Sequence, residues 1–214
     1  MNRKISPQKR NLNNLLSKSI TKFPSIKSDT APVITESPLE ADFCYYLEFD
    51  KEVIKYEAQP LGFSYWLNKA KHTYTPDFEV FYVTSSCYYE IKFEKDILRD
   101  KEFKSRFEIQ KKAAQELGKD LFLITDSFIL KRYKYENLCL LYKFSKIVLE
   151  PEFLLFIKSY LTNNRELTIL ELVRQESRNS DFQQIYKLIW DQTLLAEMES
   201  EIISINTVIK WWNK

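Results

Sequence analysis

Two short stretches hold residues that could do chemistry together. Tyr74-Thr75-Pro76-Asp77-Phe78 supplies a carboxylate, and Tyr89-Glu90-Ile91-Lys92, with Glu90 thirteen residues after Asp77, supplies a second carboxylate and an amine. On a strand, side chains alternate, so Glu90 and Lys92 share one face while Ile91 points into the core. A hairpin would set Asp77 on the neighbouring strand beside Glu90. Two carboxylates brought together repel unless a cation joins them. A donor set of oxygens, without His or Cys, favours a hard ion such as Mg²⁺ or Mn²⁺. A lysine two residues on can orient an attacking water and offset charge growing on a phosphate. The spacing suits metal-assisted phosphodiester hydrolysis. Simpler roles compete with this one: Asp77 as a turn residue after proline, and Glu90 with Lys92 as a solvated strand face.

These groups need elements to hold them. Ser37-Pro38-Leu39-Glu40 reads as a helix start, with Ser37 at the cap, Pro38 in the first turn and Glu40 at the capping-box position. Leu39, Phe43 and Leu47 then mark one face of a helix reaching about Phe49. Strands are expected over Val53–Ala58, Phe63–Leu67, Thr73–Val83 and Cys87–Phe93, with a hairpin turn at Asn68-Lys69-Ala70-Lys71. A helix is expected from about Asp100 to Leu117, with Phe103, Phe107, Gln110, Ala114 and Leu117 on one face and Gly118 as its C-cap. Asp96, Arg99 and Lys101 read as a loop before it. Leu121–Ile124 is a continuous apolar run, as in a strand covered on both faces. From Pro151 a small helical domain is expected, with helices over Leu167–Gln175 and Phe182–Met198. A short apolar tail follows, in which Trp211 and Trp212 either pack on that domain or anchor a partner.

Composition sets the limits. The chain has 214 residues, 44% of them hydrophobic, enough to bury a real core. Only two glycines occur, which excludes a P-loop and a Gly-rich dinucleotide fingerprint. Three dispersed cysteines (Cys44, Cys87, Cys139) fit neither a disulfide framework nor a zinc site, and point to a reducing cytoplasm. One histidine leaves little material for His-based metal or triad chemistry. No apolar run is long enough for a membrane span and no signal-peptide core is visible, so a soluble cytoplasmic protein is expected, with no membrane partner. The net charge of +2 hides an asymmetry: residues 1–30 hold seven basic residues against Asp29 alone, and the remainder is acidic. Residues 1–30 therefore read as a basic, mobile arm.

The motif pair resembles the PD-(D/E)xK nuclease superfamily, and the helix–strands–helix–strand order resembles its core. A wider set of segments, ESPLEADFCYYLEFD (36–50), YEAQP (56–60), YTPDF (74–78) and YEIK (89–92), resembles the N-terminal domain of TnsA, the endonuclease subunit of heteromeric cut-and-paste transposases. The likeness spans roughly residues 31–130. It implies an α/β fold: a restriction-endonuclease-like mixed sheet flanked by helices, with a small C-terminal helical, winged-helix-like domain. The domains expected are an arm at 1–30, an endonuclease domain at 31–150 and a partner-docking domain at 151–214.

The resemblance also implies roles. Glu40 matches the first-helix glutamate of the metal site, Asp77 the aspartate of the Thr-Pro-Asp-Phe motif, and Lys92 the strand lysine. Where many family members have glutamine, this chain has Glu90, which would add a ligand. The catalytic set is then Glu40, Asp77, Glu90 and Lys92, with Mg²⁺ or Mn²⁺ held by the three carboxylates. Glu40 could equally do no more than close its capping box. The implied activity is cleavage of the 5′, non-transferred strands at transposon ends. The implied partners are double-stranded DNA, a TnsB-like transposase and a TnsC-like ATPase. His72, Lys104, Gln110, Lys111 and Lys112 are the candidate DNA contacts, although a lone histidine or a charged helix face is more often simply solvated. Two other functions fit the same residues: a stand-alone nuclease of repair, restriction or phage DNA processing, and an idle nuclease fold serving as an assembly adaptor.

Overall fold

The computed structural model describes residues 20–30, 32–161, 166–175 and 181–212. The remaining residues, including most of the expected arm, lie outside the description. The chain divides into two compact units, Met1–Leu130 and Lys131–Lys214.

In the first unit, β1 (Thr21–Phe23) pairs antiparallel with β2 (Val33–Thr35). Phe23 is buried and meets Tyr45 edge-on at 4.9 Å, and the Lys27 amine donates to the Leu47 carbonyl at 3.1 Å. Residues 20–30 are thus folded onto the domain, which corrects the reading of 1–30 as one mobile arm. The physical reason is an alternation too short to register as a strand until its partner is known. Helix α1 (Pro38–Phe49) follows, opened by the expected Ser37 cap and Pro38.

A four-stranded sheet forms the centre, in the order β3 (Lys55–Ala58), β6 (Phe78–Phe81), β7 (Ser86–Lys92), β8 (Leu121–Thr125). β3, β6 and β7 run antiparallel, and β7 pairs parallel with β8, giving a mixed sheet. Strands β4 (Phe63–Leu67) and β5 (Ala70–Tyr74) make a separate hairpin. The single strand expected over Thr73–Val83 is therefore two strands in two sheets. Pro76 lies at the break, and without an N–H it cannot continue a ladder.

After β7 come α2 (Glu94–Arg99), α3 (Phe103–Gln115) and, beyond β8, α4 (Asp126–Ile129). The expected loop at Asp96–Lys101 is largely the short helix α2, too brief for periodicity to reveal. Gly118 holds a left-handed φ of 79° just past α3, as a C-cap glycine should. Helices pack on both faces of the sheet. Phe43 of α1 packs on Phe78 and Tyr89, with ring centroids 5.8 and 5.4 Å apart. On the opposite face Phe103, Phe107 and Ala114 of α3 close over Tyr88, Leu121 and Phe63. β8 is an edge strand, and Phe122 on it is exposed, so the apolar run is not covered on both faces as expected. The result is a restriction-endonuclease-like arrangement of a mixed sheet between helices.

The second unit contains α5 (Arg132–Tyr142), α6 (Pro151–Leu161), β9 (Glu166–Thr168), α7 (Ile169–Gln175), α8 (Asp181–Trp190), β10 (Leu194–Ala196) and β11 (Val208–Trp211). The three strands form an antiparallel sheet in the order β10-β11-β9. The domain expected to be helical is mixed. The start of the expected Leu167 helix is strand β9, and the end of the expected Phe182–Met198 helix is strand β10. Trp211 pairs with Leu194 in that sheet, while Trp212 remains 45% exposed. Its core is apolar, with Ile157, Leu161, Ile169, Leu172, Ile185 and Leu188 buried. Among the described residues no helix is long and apolar enough to cross a membrane. None of Cys44, Cys87 and Cys139 is in a disulfide.

Candidate active site

The site assembles at one end of the central sheet. β6 and β7 pair with Phe78 opposite Tyr89, so Asp77, one residue before β6, lies beside the end of β7. Its backbone N–H donates to the Tyr89 carbonyl at 3.0 Å, and the Ile91 N–H donates to its Oδ2 at 2.7 Å. The Asp77 carboxylate is thereby fixed next to Glu90. Alternation along β7 puts Glu90 and Lys92 on the α3 face, with Lys92 Nζ 3.8 Å from Glu90 Oε1 and 5.4 Å from the centre of the Phe103 ring. Ile91, as expected, is buried.

Glu40, in the first turn of α1, lies near enough for the Asp77 charge to act on it. It closes a capping box: its N–H donates to Ser37 Oγ, Ser37 Oγ donates to its Oε1, and the Glu36 N–H donates to its Oε2. Burial, and next the Asp77 charge, raise its pKa to about 7. Asp77 is pushed well above the usual carboxylate range by burial and then by the Glu90 charge, against the pull of the Ile91 N–H, Gln59 and Lys92. Asp77 therefore feels the like charge of Glu90, and Glu40 that of Asp77, in a low-dielectric setting. Perturbed carboxylates of this kind mark functional sites.

Two further residues complete the site, and the sequence alone assigns them no role. The Tyr74 hydroxyl donates to Glu90 Oε2 at 2.6 Å; burial and the Glu90 charge push its pKa upward, so it remains a donor. Gln59 is buried and held at a left-handed φ of 49°, and its N–H donates to the Asp77 carbonyl at 2.8 Å. Its Nε2 lies 3.4 Å from Asp77 Oδ1. Both stand within the segments YEAQP and YTPDF, but only pairing across the sheet reveals what they touch.

The donor set fits a hard divalent cation in its chemistry, since it offers carboxylate oxygens whose mutual repulsion a cation would relieve. In the present arrangement each carboxylate is engaged by its own chain, and among the described residues no group of three or more His, Cys, Asp or Glu side chains converges as a ready cage. Asp77 and Glu90 form the adjacent pair, while Glu40 would exchange a cap hydrogen bond to join them.

The candidate DNA contacts divide. His72 is exposed on β5 and stacks on Tyr65 at 5.6 Å. Lys104 and Lys112 are exposed and Lys111 is half-buried. Gln110 is only 7% exposed, on the α3 face with Phe103, Phe107 and Ala114, and so cannot grip DNA. The same helical spacing that placed it among apolar residues puts it inside.

Residues 50–126 match the family described as TnsA-like endonuclease N terminal. No curated protein matches the chain. The matched residues contain Gln59, Tyr74, Asp77, Glu90 and Lys92, and Glu40 precedes them. Over residues 50–126, this chain is similar to the N-terminal domain of the TnsA-like endonucleases.

Proposed function

We propose that this protein is a Mg²⁺- or Mn²⁺-dependent endonuclease that cuts the 5′, non-transferred strands at the ends of a mobile DNA element. A TnsB-like transposase would process the other strands, and a TnsC-like ATPase would regulate the assembly. The placement of Asp77 beside Glu90, with Lys92 on the same strand face and the Asp77 charge acting on Glu40, carries this reading.

Asp77, Glu90 and Glu40 are the residues that would hold the cation. When bound, it supplies Lewis-acid stabilisation of the phosphoryl charge and of the leaving oxygen. The chain's own groups do the positioning. Tyr74 fixes one oxygen of Glu90 and Lys92 sits by the other. The Ile91 N–H fixes Asp77. The Lys92 ammonium is placed to orient a water and to donate to a phosphate oxygen. Attack in line with the 3′ oxygen would release a 3′ hydroxyl and leave a 5′ phosphate.

The test is nicking of transposon-end DNA by the purified protein, with and without the neighbouring transposase and Mg²⁺. Asp77→Asn suits this better than alanine, because its amide oxygen can still accept the Ile91 N–H. It should fold like the wild type and lose cleavage by about 10²-fold or more. Nicking by Asp77→Asn at the wild-type rate would remove the site assignment.

A further inference from the structure

Hairpin β4–β5 has a surface that the cutting chemistry leaves unused. Its strands pair only with each other among the described residues, with Phe63 opposite Tyr74, Tyr65 opposite His72 and Trp66 opposite Lys71. One face is anchored, since Phe63 is buried against Tyr88 and α3, and Tyr65 is buried too. The other face presents Trp66, 67% exposed, with Lys71 and Thr73 also exposed. The turn is tight, with Asn68 and Lys69 both at left-handed φ (50° and 63°), a geometry that matches strand twist and preforms the tip.

Charge sets this element apart. Residues 31–130 carry a net of −5, yet positions 58–76 contain no acid at all. Neither Lys69 nor Lys71 is paired with a carboxylate among the described residues, unlike Lys55, Lys92, Arg106 and Lys119. An exposed tryptophan flanked by unpaired lysines offers an aromatic platform and two cations for phosphates. The hairpin is also joined to the site: Tyr74 ends β5 and donates to Glu90.

We propose that the outer face of hairpin β4–β5 is the DNA-holding surface of this nuclease. Lys69 and Lys71 sit on phosphates, and Trp66 lies against a base or sugar of the strand leading to the cut. This rests on the nuclease reading and adds to it the surface that grips the substrate.

The experiment is fluorescence anisotropy with a short labelled duplex of transposon-end sequence and the full chain in Ca²⁺, with salt varied from about 50 to 200 mM. Lys69→Gln/Lys71→Gln should weaken binding roughly tenfold and flatten the slope of log K against log salt by about 1.8, or about 0.9 for each phosphate that is no longer neutralised. Trp66→Ala should weaken binding roughly tenfold with the slope unchanged, and Trp66→Phe should recover most of it. All three side chains are exposed, so equal melting temperatures will separate lost binding from lost folding. Wild-type affinity and slope in both variants would overturn the proposal. So would duplex binding that is unchanged while cleavage falls only when the transposase is present, which would assign the face to a protein. Asp77→Asn separates the two readings. It should bind duplex with the wild-type slope while failing to cut; if it cuts normally, the catalytic assignment fails whatever the hairpin does.

Discussion

At the scale of single residues, the site is organised around carboxylates that burial has made reluctant to ionise. For Glu40 the folded-state pKa is raised from 4.5 to about 7. Folding therefore binds a proton between these values, and the resulting stability is fully present below about pH 4.5 and lost as pH rises through 7. The cost of charging Glu40 is of order 3 kcal/mol in the metal-free protein. Urea midpoints without divalent cations should show the wild type losing ground to Glu40→Gln by up to that amount as pH rises from about 4.5 to 8. Equal pH dependence in the two proteins would contradict it. Alternation on one strand was enough to place Glu90, Ile91 and Lys92, and antiparallel pairing to bring Asp77 alongside, so this part of the centre was legible in the sequence. Tyr74 and Gln59 were not, because their partners lie 16 and 18 positions away and no local period encodes them. Gln110 was legible on one count and misread on another: its helical face gave its burial, and its place beside Lys104, Lys111 and Lys112 suggested a DNA contact that burial prevents.

At the scale of elements, the break between β5 and β6 governs the site. It lets one stretch of chain serve two sheets and turns Asp77 toward β7. Gly62 makes the break possible. A Cβ there would lie 2.4 Å from the Tyr74 carbonyl oxygen and 2.7 Å from Thr75 Oγ1, and the nearer obstacle is backbone. Gly62→Ala should cost about 1–3 kcal/mol of stability, read from urea unfolding. It should also reduce cleavage beyond what the smaller folded fraction accounts for, because Tyr74 must shift away from Glu90. A variant that cuts normally per folded molecule would show that the approach is merely structural. Long elements, α1 and α3, were legible from their caps and apolar faces. Several short ones were not. The strands β1, β9, β10 and β11 span three or four residues each and become recognisable only through their partners. Leu121–Ile124 reads correctly as a strand, but its edge position is a matter of topology.

At the scale of the whole molecule, the division at Leu130 falls before the break expected at Pro151. α5 belongs with the second unit because it buries itself there: Tyr142 meets Trp190 edge-on at 5.3 Å, and Leu138 and Leu141 are buried. Asn137 donates to the carbonyls of Met198 and Glu201 and accepts from the Ile203 N–H. The residues from Lys131 to Glu150 carry no composition shift, so the boundary could not be seen in the sequence. Truncation after Glu150 should therefore leave an uncovered helix, with dye-binding apolar surface and a tendency to aggregate. Truncation after Leu130 should melt as cooperatively as a small intact domain. Calorimetry and a hydrophobic dye on both truncations will decide, and equal behaviour would move the boundary back. The N-terminal end of the first unit has a bearing on protein engineering. Glu48, buried on α1, accepts from Ser25 Oγ, the Ile26 N–H and the Tyr56 hydroxyl. Deleting the first thirty residues as if they were a tether would strip two of those three donors from a buried carboxyl group. The rod that it sits on also carries Glu40, so trimming at that terminus would loosen the candidate site from behind.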